Sequence, residues 1–131
     1  MSIVGEAISS IDSHFQELLK VQSEEDGIIR KMVDTIVREA DPDAVILFGS
    51  RARGDARPDS DVDLMIIEHE CFSPQRSRRQ ETARLYLALR KLPMPKDLLL
   101  YSREEFERLK DSPHHIVGRA QREGLVLHAR A

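Results

Sequence analysis

Residues 48–67 read "FGSRARGDARPDSDVDLMII", and the reading of this stretch decides the fold. An aliphatic run stops at Gly49-Ser50, ten largely polar residues follow, and a second aliphatic run then forms around Asp61 and Asp63. The two aspartates stand where a strand should be burying side chains. Carboxylates so placed need a partner.

Asp61 and Asp63 are separated by one residue, so on a strand both side chains leave the same face, about 7 Å apart along the chain. Val62, Leu64 and Ile66 take the other face. Two carboxylates on one side of an apolar sheet repel each other and are costly to desolvate. A divalent cation relieves both problems, and oxygen donors select Mg²⁺ or Mn²⁺. Taken alone, Asp-x-Asp reads more simply as a strand that begins in solvent. The same holds for Gly49-Ser50. A glycine at the end of a buried strand, opening a helical turn, lets an anion approach backbone N–H groups, yet by itself it reads more simply as a turn.

Working outward, residues 44–48 ("AVILF") are a short continuous apolar run bounded by turn signals, as a strand buried on both faces would be. Residues 62–67 form a second strand, and "DLLLY" at 97–101 a third, headed by Asp97. Upstream, Val4, Ile8, Ile11, Phe15 and Leu18 recur at helical spacing over residues 3–21. "SEEDG" at 23–27 is expected to break that helix, and a second helix turns Ile28, Ile29, Met32, Val33, Ile36 and Val37 inward. Residues 73–92 are expected to be a helix capped by Ser73, with Pro74 at its first position. Ser102 and Glu105 have capping-box spacing. A helix over residues 113–123 should close on Gly124 in the left-handed conformation, and "LVLHA" at 125–129 should be a last extended piece. The link between the first two strands is too short for a crossover helix, so they are expected to run antiparallel. The expectation is an α+β domain, a small mixed sheet with helices packed mainly on one face.

Asp97 changes the weight of the motif. A third acid at the head of a neighbouring strand completes a set able to hold two metal ions about 3.5–4 Å apart, the arrangement suited to in-line displacement at phosphorus. Such an acid can also take the proton of an attacking hydroxyl. Other candidates are weaker. His114-His115 has no acid or cysteine at zinc-like spacing and reads as a surface pair at a helix start. Cys71 reads as a small packed hydrophobe. Arg76, Arg78 and Arg79 lie near an expected helix N-terminus, where cations oppose the dipole, and read as a solvated face.

A strand, Gly-Ser, ten residues, Asp-x-Asp on a strand and a later strand led by aspartate together resemble the DNA polymerase β-like nucleotidyltransferase superfamily. "LFGSRARGDARPDSDVDLMI" is most similar to its minimal nucleotidyltransferase branch, small proteins often encoded beside HEPN-domain partners. The resemblance runs from residue 44 to about 127, is strongest over 47–66, and leaves residues 1–27 outside as an N-terminal helical extension of a domain spanning 28–131. In "GRAQREGLVLH" the branch often has a tyrosine after the last leucine, where His128 stands here. The resemblance implies that Gly49 and Ser50 hold a triphosphate, that Asp61 and Asp63 bind two Mg²⁺ (or Mn²⁺) ions, and that Asp97 binds one of them and assists deprotonation of the acceptor. Arg51, Arg53 and Arg57 lie in the intervening loop and are placed to neutralise phosphate charge.

On that resemblance the expected activity is transfer of AMP from ATP to a hydroxyl on a HEPN-type partner protein, as the antitoxin of a toxin–antitoxin pair. Two alternatives stand beside it: a silent module that neutralises its partner by contact, and a small-molecule (antibiotic) nucleotidyltransferase. Nothing in the chain is large enough for a template-directed polymerase. At 131 residues one domain is the simplest organisation. A net charge of −3 argues against coating nucleic acid by charge alone. The single cysteine excludes an internal disulfide and, with no apolar run near ~18 residues, points to a cytoplasmic protein without a membrane span. The apolar stripe of residues 3–21 is expected to pack on its own domain, with a homo-oligomer or partner interface as the alternative.

Overall fold

The aliphatic runs form the sheet expected of them. A computed structural model of the chain describes residues 13–130, with side chains from residue 24 onward. The elements are α1 (Ser13–Ala40), β1 (Ala44–Phe48), α2 (Ser50–Arg53), β2 (Val62–Glu68), α3 (Arg78–Leu89), β3 (Lys96–Ser102), α4 (Arg103–Leu109), α5 (Ile116–Glu123) and β4 (Leu125–Ala129). Much of the expected N-terminal stripe, Val4, Ile8 and Ile11, lies outside the described residues.

The strands lie in the order β3-β2-β1-β4. β1 pairs antiparallel with β2, as the short link between them required, and antiparallel with β4 through a bulge between Val45 and Ile46. β2 and β3 run parallel, joined by a crossover through α3. The sheet buries both faces. Val45, Leu47, Val62, Leu64, Ile66, Leu98 and Leu100 pack under the two longer helices, against Ile29, Met32, Val33 and Ile36 of α1 and Leu85 and Leu89 of α3. Ile46, Phe48, Met65 and Ile67 pack the opposite way, against Val117 and Ala120 of α5 with Phe106 and Leu109 of α4. The longer helices therefore share one face and the two short ones cover the other. Truncating a fully buried side chain such as Ile66 to alanine should cost about 2–5 kcal/mol.

Several local expectations need correcting. Residues 23–27 do not break the first helix. α1 is continuous from Ser13 to Ala40, because a polar run is compatible with a helix and Gly27 alone costs only about 1 kcal/mol. It stops at Asp41, whose φ of 45° is left-handed, just before Pro42. The third helix starts at Arg78 on a Ser77 cap, not at Ser73. Ser73 and Arg76 instead exchange backbone hydrogen bonds of 3.0 Å in a turn. Gly124 is extended (φ −78°, ψ 163°), not left-handed. What it supplies is room, since a Cβ there would sit 2.4 Å from the Ala120 carbonyl oxygen and 2.5 Å from Ile46 Cγ2. Cys71 is exposed, its Sγ donating to Glu104 Oε2 at 3.1 Å, so it is not a packed hydrophobe. The capping box of Ser102 and Glu105 forms as expected.

Arg76 and Arg78 are structural rather than solvated. Both guanidinium groups stack on Phe72, at 4.6 and 4.7 Å from the ring centre. Arg76 donates to buried Glu68 at 2.6 Å. Arg78 grips both oxygens of Glu105, holding that carboxyl down at about 2, and also donates to the Leu100 carbonyl on the open edge of β3. Among the described residues no helix is long and apolar enough to cross a membrane.

Candidate active site

β1 delivers the chain to Gly49, whose φ of 74° is left-handed and suits glycine. Its carbonyl accepts from Ala52 and Arg53 N–H at 3.1 Å each, closing the short turn α2, and no side chain caps that turn's start. A second constraint acts on the same residue. A Cβ on Gly49 would lie 2.2 Å from Asp63 Oδ2. The glycine therefore lets the backbone of the turn come up against the Asp63 carboxylate. Ser50, beside it, opens α2.

Asp63 lies opposite Phe48 on β1 and opposite Asp97 on β3. Register thus places two carboxylates side by side on adjacent parallel strands. Asp61 stands two residues earlier on the same alternation, just before β2 begins. Asp63 is partly buried and its carboxyl titrates above the usual range, first because burial disfavours the charge and then because Asp97 and Asp61 repel it. Arg53 and Arg51 pull weakly the other way. None of the three aspartates takes part in an ion pair among the described residues.

The donor set suits a hard cation. Its oxygens are uncompensated, the inner one is destabilised by its neighbours, and the backbone of a glycine turn adjoins it. The acids do not form a ready cage, since among the described residues no three His, Cys, Asp or Glu side chains stand close enough to hold an ion alone. That pattern fits Mg²⁺, which dehydrates reluctantly and is bound through one or two carboxylates with water and substrate phosphate oxygens.

Tyr86 belongs to this site, although in the sequence it only widens the apolar stripe of its helix. Its hydroxyl accepts from Leu98 N–H at 2.9 Å and donates to Asp97 Oδ1 at 3.3 Å. Burial foremost pushes its phenol above the ordinary value, so the hydroxyl stays a donor. The only signal for it in the sequence is a tyrosine on the helix that crosses over to the strand of Asp97.

The loop arginines part company. Arg53 is 40% exposed, with Asp55 at 3.4 Å and Glu123 at 3.9 Å. Arg51 is 7% exposed and fully engaged within the protein, with Glu25 and the loop carbonyls. Arg57 lies exposed in the loop. Away from the site, His115 caps α5 by accepting from Val117 N–H at 3.0 Å.

Against known proteins, a family model described as nucleotidyltransferase domain matches residues 29–125. No curated protein matches the chain. Among solved structures, a candidate nucleotidyltransferase from Sulfolobus solfataricus is 19% identical with a TM-score of 0.55, covering 86% of each chain. A toxin–antitoxin crystal structure with AMP-PNP is 18% identical with a TM-score of 0.49, covering 77% of this chain and 73% of that one.

Proposed function

The chain belongs to the nucleotidyltransferase domain family, and from that premise we propose that it transfers AMP from ATP to a hydroxyl of a partner protein, releasing pyrophosphate. One observation carries the reading: Asp63 and Asp97 lie opposite each other across parallel strands, with no ion pair to either among the described residues, and Asp63 adjoins the glycine turn. A structural role leaves carboxylates paired; a nucleotide-binding role leaves them waiting for ligand.

In this reading Asp61 and Asp63 hold the metal ions with ATP, and Asp97 is a third ligand. Bound Mg²⁺ supplies charge neutralisation for the triphosphate and an electrophilic pull on the transferring phosphorus. Gly49 and Ser50 receive the phosphates along the backbone of the turn, and Arg53, still partly exposed, adds positive charge nearby. Asp97 accepts the proton of the attacking hydroxyl, its carboxylate oriented by the Tyr86 hydroxyl on Oδ1. The α-phosphorus gains a bond to the acceptor oxygen and loses its bond to pyrophosphate.

The acceptor reading rests on the resemblance to the minimal branch and on size. Within the transferase domain we assign to residues 28–131, positioning of the reacting hydroxyl and exclusion of water fall to a docked partner. We take that partner to be a HEPN-type protein, neutralised by AMP on a hydroxyl side chain, in a cytoplasmic toxin–antitoxin pair. Residues 1–27 are the extension. Incubating the protein with labelled ATP, Mg²⁺ and the product of the adjacent gene tests this directly. Mass spectrometry should find AMP on a tyrosine, serine or threonine of that partner. A partner fully inhibited but unmodified would favour the silent binding module, and transfer to small alcohols or drugs in its place would favour the small-molecule enzyme.

A further inference from the structure

We infer that Arg51 is not a phosphate-gripping residue but the clasp of the loop that leads to Asp61, and that Glu25 on α1 holds the clasp shut. The Arg51 guanidinium donates through Nε and one terminal nitrogen to the Ser60 carbonyl, at 3.2 and 2.9 Å. That terminal nitrogen also reaches the Arg57 carbonyl at 3.5 Å. The other terminal nitrogen donates to Glu25 Oε2 at 2.9 Å.

Arg57 and Ser60 are the two ends of one tight turn. Ser60 N–H donates to the Arg57 carbonyl at 3.0 Å, and Arg57 N–H donates to Ser60 Oγ at 2.8 Å. Arg51 thus ties both ends of the turn to the start of α2, and the residue after Ser60 is Asp61. Its planar fork can reach several acceptors at once, which a lysine ammonium does less well. With its side chain 7% exposed, and that of Glu25 25% exposed, a phosphate would have to displace both the carbonyls and the carboxylate to take it. Removing one partner of a largely buried ion pair strands the other charge, so the exchange is unfavourable.

Glu25 precedes the family-matched segment of 29–125, so the link from α1 to the site loop starts outside that segment. The N-terminal part of α1 then does more than pack. It sets the order of the loop on which one of the metal-binding acids depends. The nucleotide readout below rests on the function proposed above, whereas the exchange readout does not.

Two measurements on the full chain test the clasp, with Glu25→Ala and Arg51→Met as the variants; alanine keeps α1 helical should the Arg51 variant fold poorly. Amide hydrogen exchange over residues 54–61, without ligand, should speed up in both variants. Unchanged exchange in a folded Glu25→Ala protein would overturn the inference. Titration with Mn²⁺ and a non-hydrolysable ATP analogue should show binding weakened about three- to tenfold in Glu25→Ala, the scale of one ordinary net hydrogen bond, with turnover at saturating metal and ATP unchanged. If Arg51 were a phosphate ligand held back by Glu25, the same variant would bind the analogue more tightly. Tighter binding therefore overturns the clasp. A wild-type protein that bound no Mn²⁺ and analogue would refute the proposed function, while the exchange result would still decide the clasp.

Discussion

Strand β2 carries a carboxylate at each end, and the two ends treat it differently. At the far end Glu68 is 3% exposed and takes a 2.6 Å hydrogen bond from Arg76 on Oε1. Its Oε2 has no partner among the described groups, and burial, followed by the neighbouring Glu81, raises its carboxyl to about 7. Glu81 lies close enough to disfavour the charge on Glu68, and Arg84 in turn holds Glu81 at 2.8 Å. At the near end Asp63 is less buried, is repelled by Asp97 and Asp61, and takes no ion pair among the described residues. The fold therefore has the means to compensate a carboxylate on this strand and applies them at only one end. Burial alone does not mark a site. Uncompensated charge beside an open backbone turn does.

The largest effect that could break this contrast is expected from the double variant Asp61→Asn/Asp63→Asn. Transfer should fall at least about a thousandfold, which is about 4 kcal/mol at about 1.4 kcal/mol per tenfold. The stability of the protein without metal should hold or rise, because like charges have been removed. A radiolabel transfer assay beside a urea melt reads both. Wild-type transfer by the double variant would end the two-metal account.

Gly49→Val comes next. It combines a left-handed φ of 74° with a Cβ 2.2 Å from Asp63 Oδ2, so it should cost about 2–4 kcal/mol of stability and abolish nucleotide binding. Gly54→Ala is its control. Gly54 has a φ of 86°, but a Cβ added there would meet nothing within 4 Å, so about 1 kcal/mol of strain and no loss of binding are expected. Equal melts and equal binding for the two variants would show that the closeness of Gly49 to Asp63 is irrelevant.

Tyr86→Phe should be milder. It removes the hydroxyl that holds Asp97 and leaves the Leu98 N–H without that partner, so transfer should drop about five- to tenfold with a small loss of thermal stability. The drop should appear in turnover at saturating ATP more than in half-saturation. Unchanged turnover would leave Tyr86 a packing residue only.

The smallest effect on function, none, is expected from Glu68→Gln, which instead sharpens the contrast through pH. The folded-state value of Glu68, about 7, lies above its ordinary 4.5, so the folded protein holds this proton more tightly than the unfolded chain. Its contribution is complete below about 4.5 and is lost as pH rises through about 7. Glutamine keeps the neutral form at every pH. Unfolding free energy measured from pH 5 to 8 should therefore decline less in the variant, by about 2–3 kcal/mol over the range. Parallel curves would mean that Glu68 does not carry the proton.

The near end of β2 is legible in the sequence because its chemistry violates the pattern around it. Two aspartates at alternate positions in an aliphatic strand, and an aspartate heading another, stand out without any tertiary knowledge. The sheet is legible for the same reason, since its strands are short continuous apolar runs between breakers. The far end is not. Glu68 closes a strand as an ordinary polar residue, and its partner Arg76 lies in a turn that reads as a helix start. Arg78 finds Glu105 across 27 residues, a pairing no local pattern announces. "SEEDG" looks like a break because polarity and a glycine coincide there, yet a helix on a surface tolerates both. The charge and neighbourhood of Arg51 suggest a phosphate ligand, whereas its buried hydrogen bonds depend on how the loop folds back. Local rules report what a residue would suit; long-range pairing decides what is left for a ligand.

The most direct test of the central claim compares the two ends of β2 in one experiment. Calorimetric titration with Mn²⁺ and a non-hydrolysable ATP analogue should give saturable binding to the wild type and to Glu68→Gln with the same dissociation constant, and no detectable binding to Asp63→Asn. Binding by Asp63→Asn at wild-type affinity, or its loss in Glu68→Gln alone, would contradict the assignment of the site to the Asp63 end.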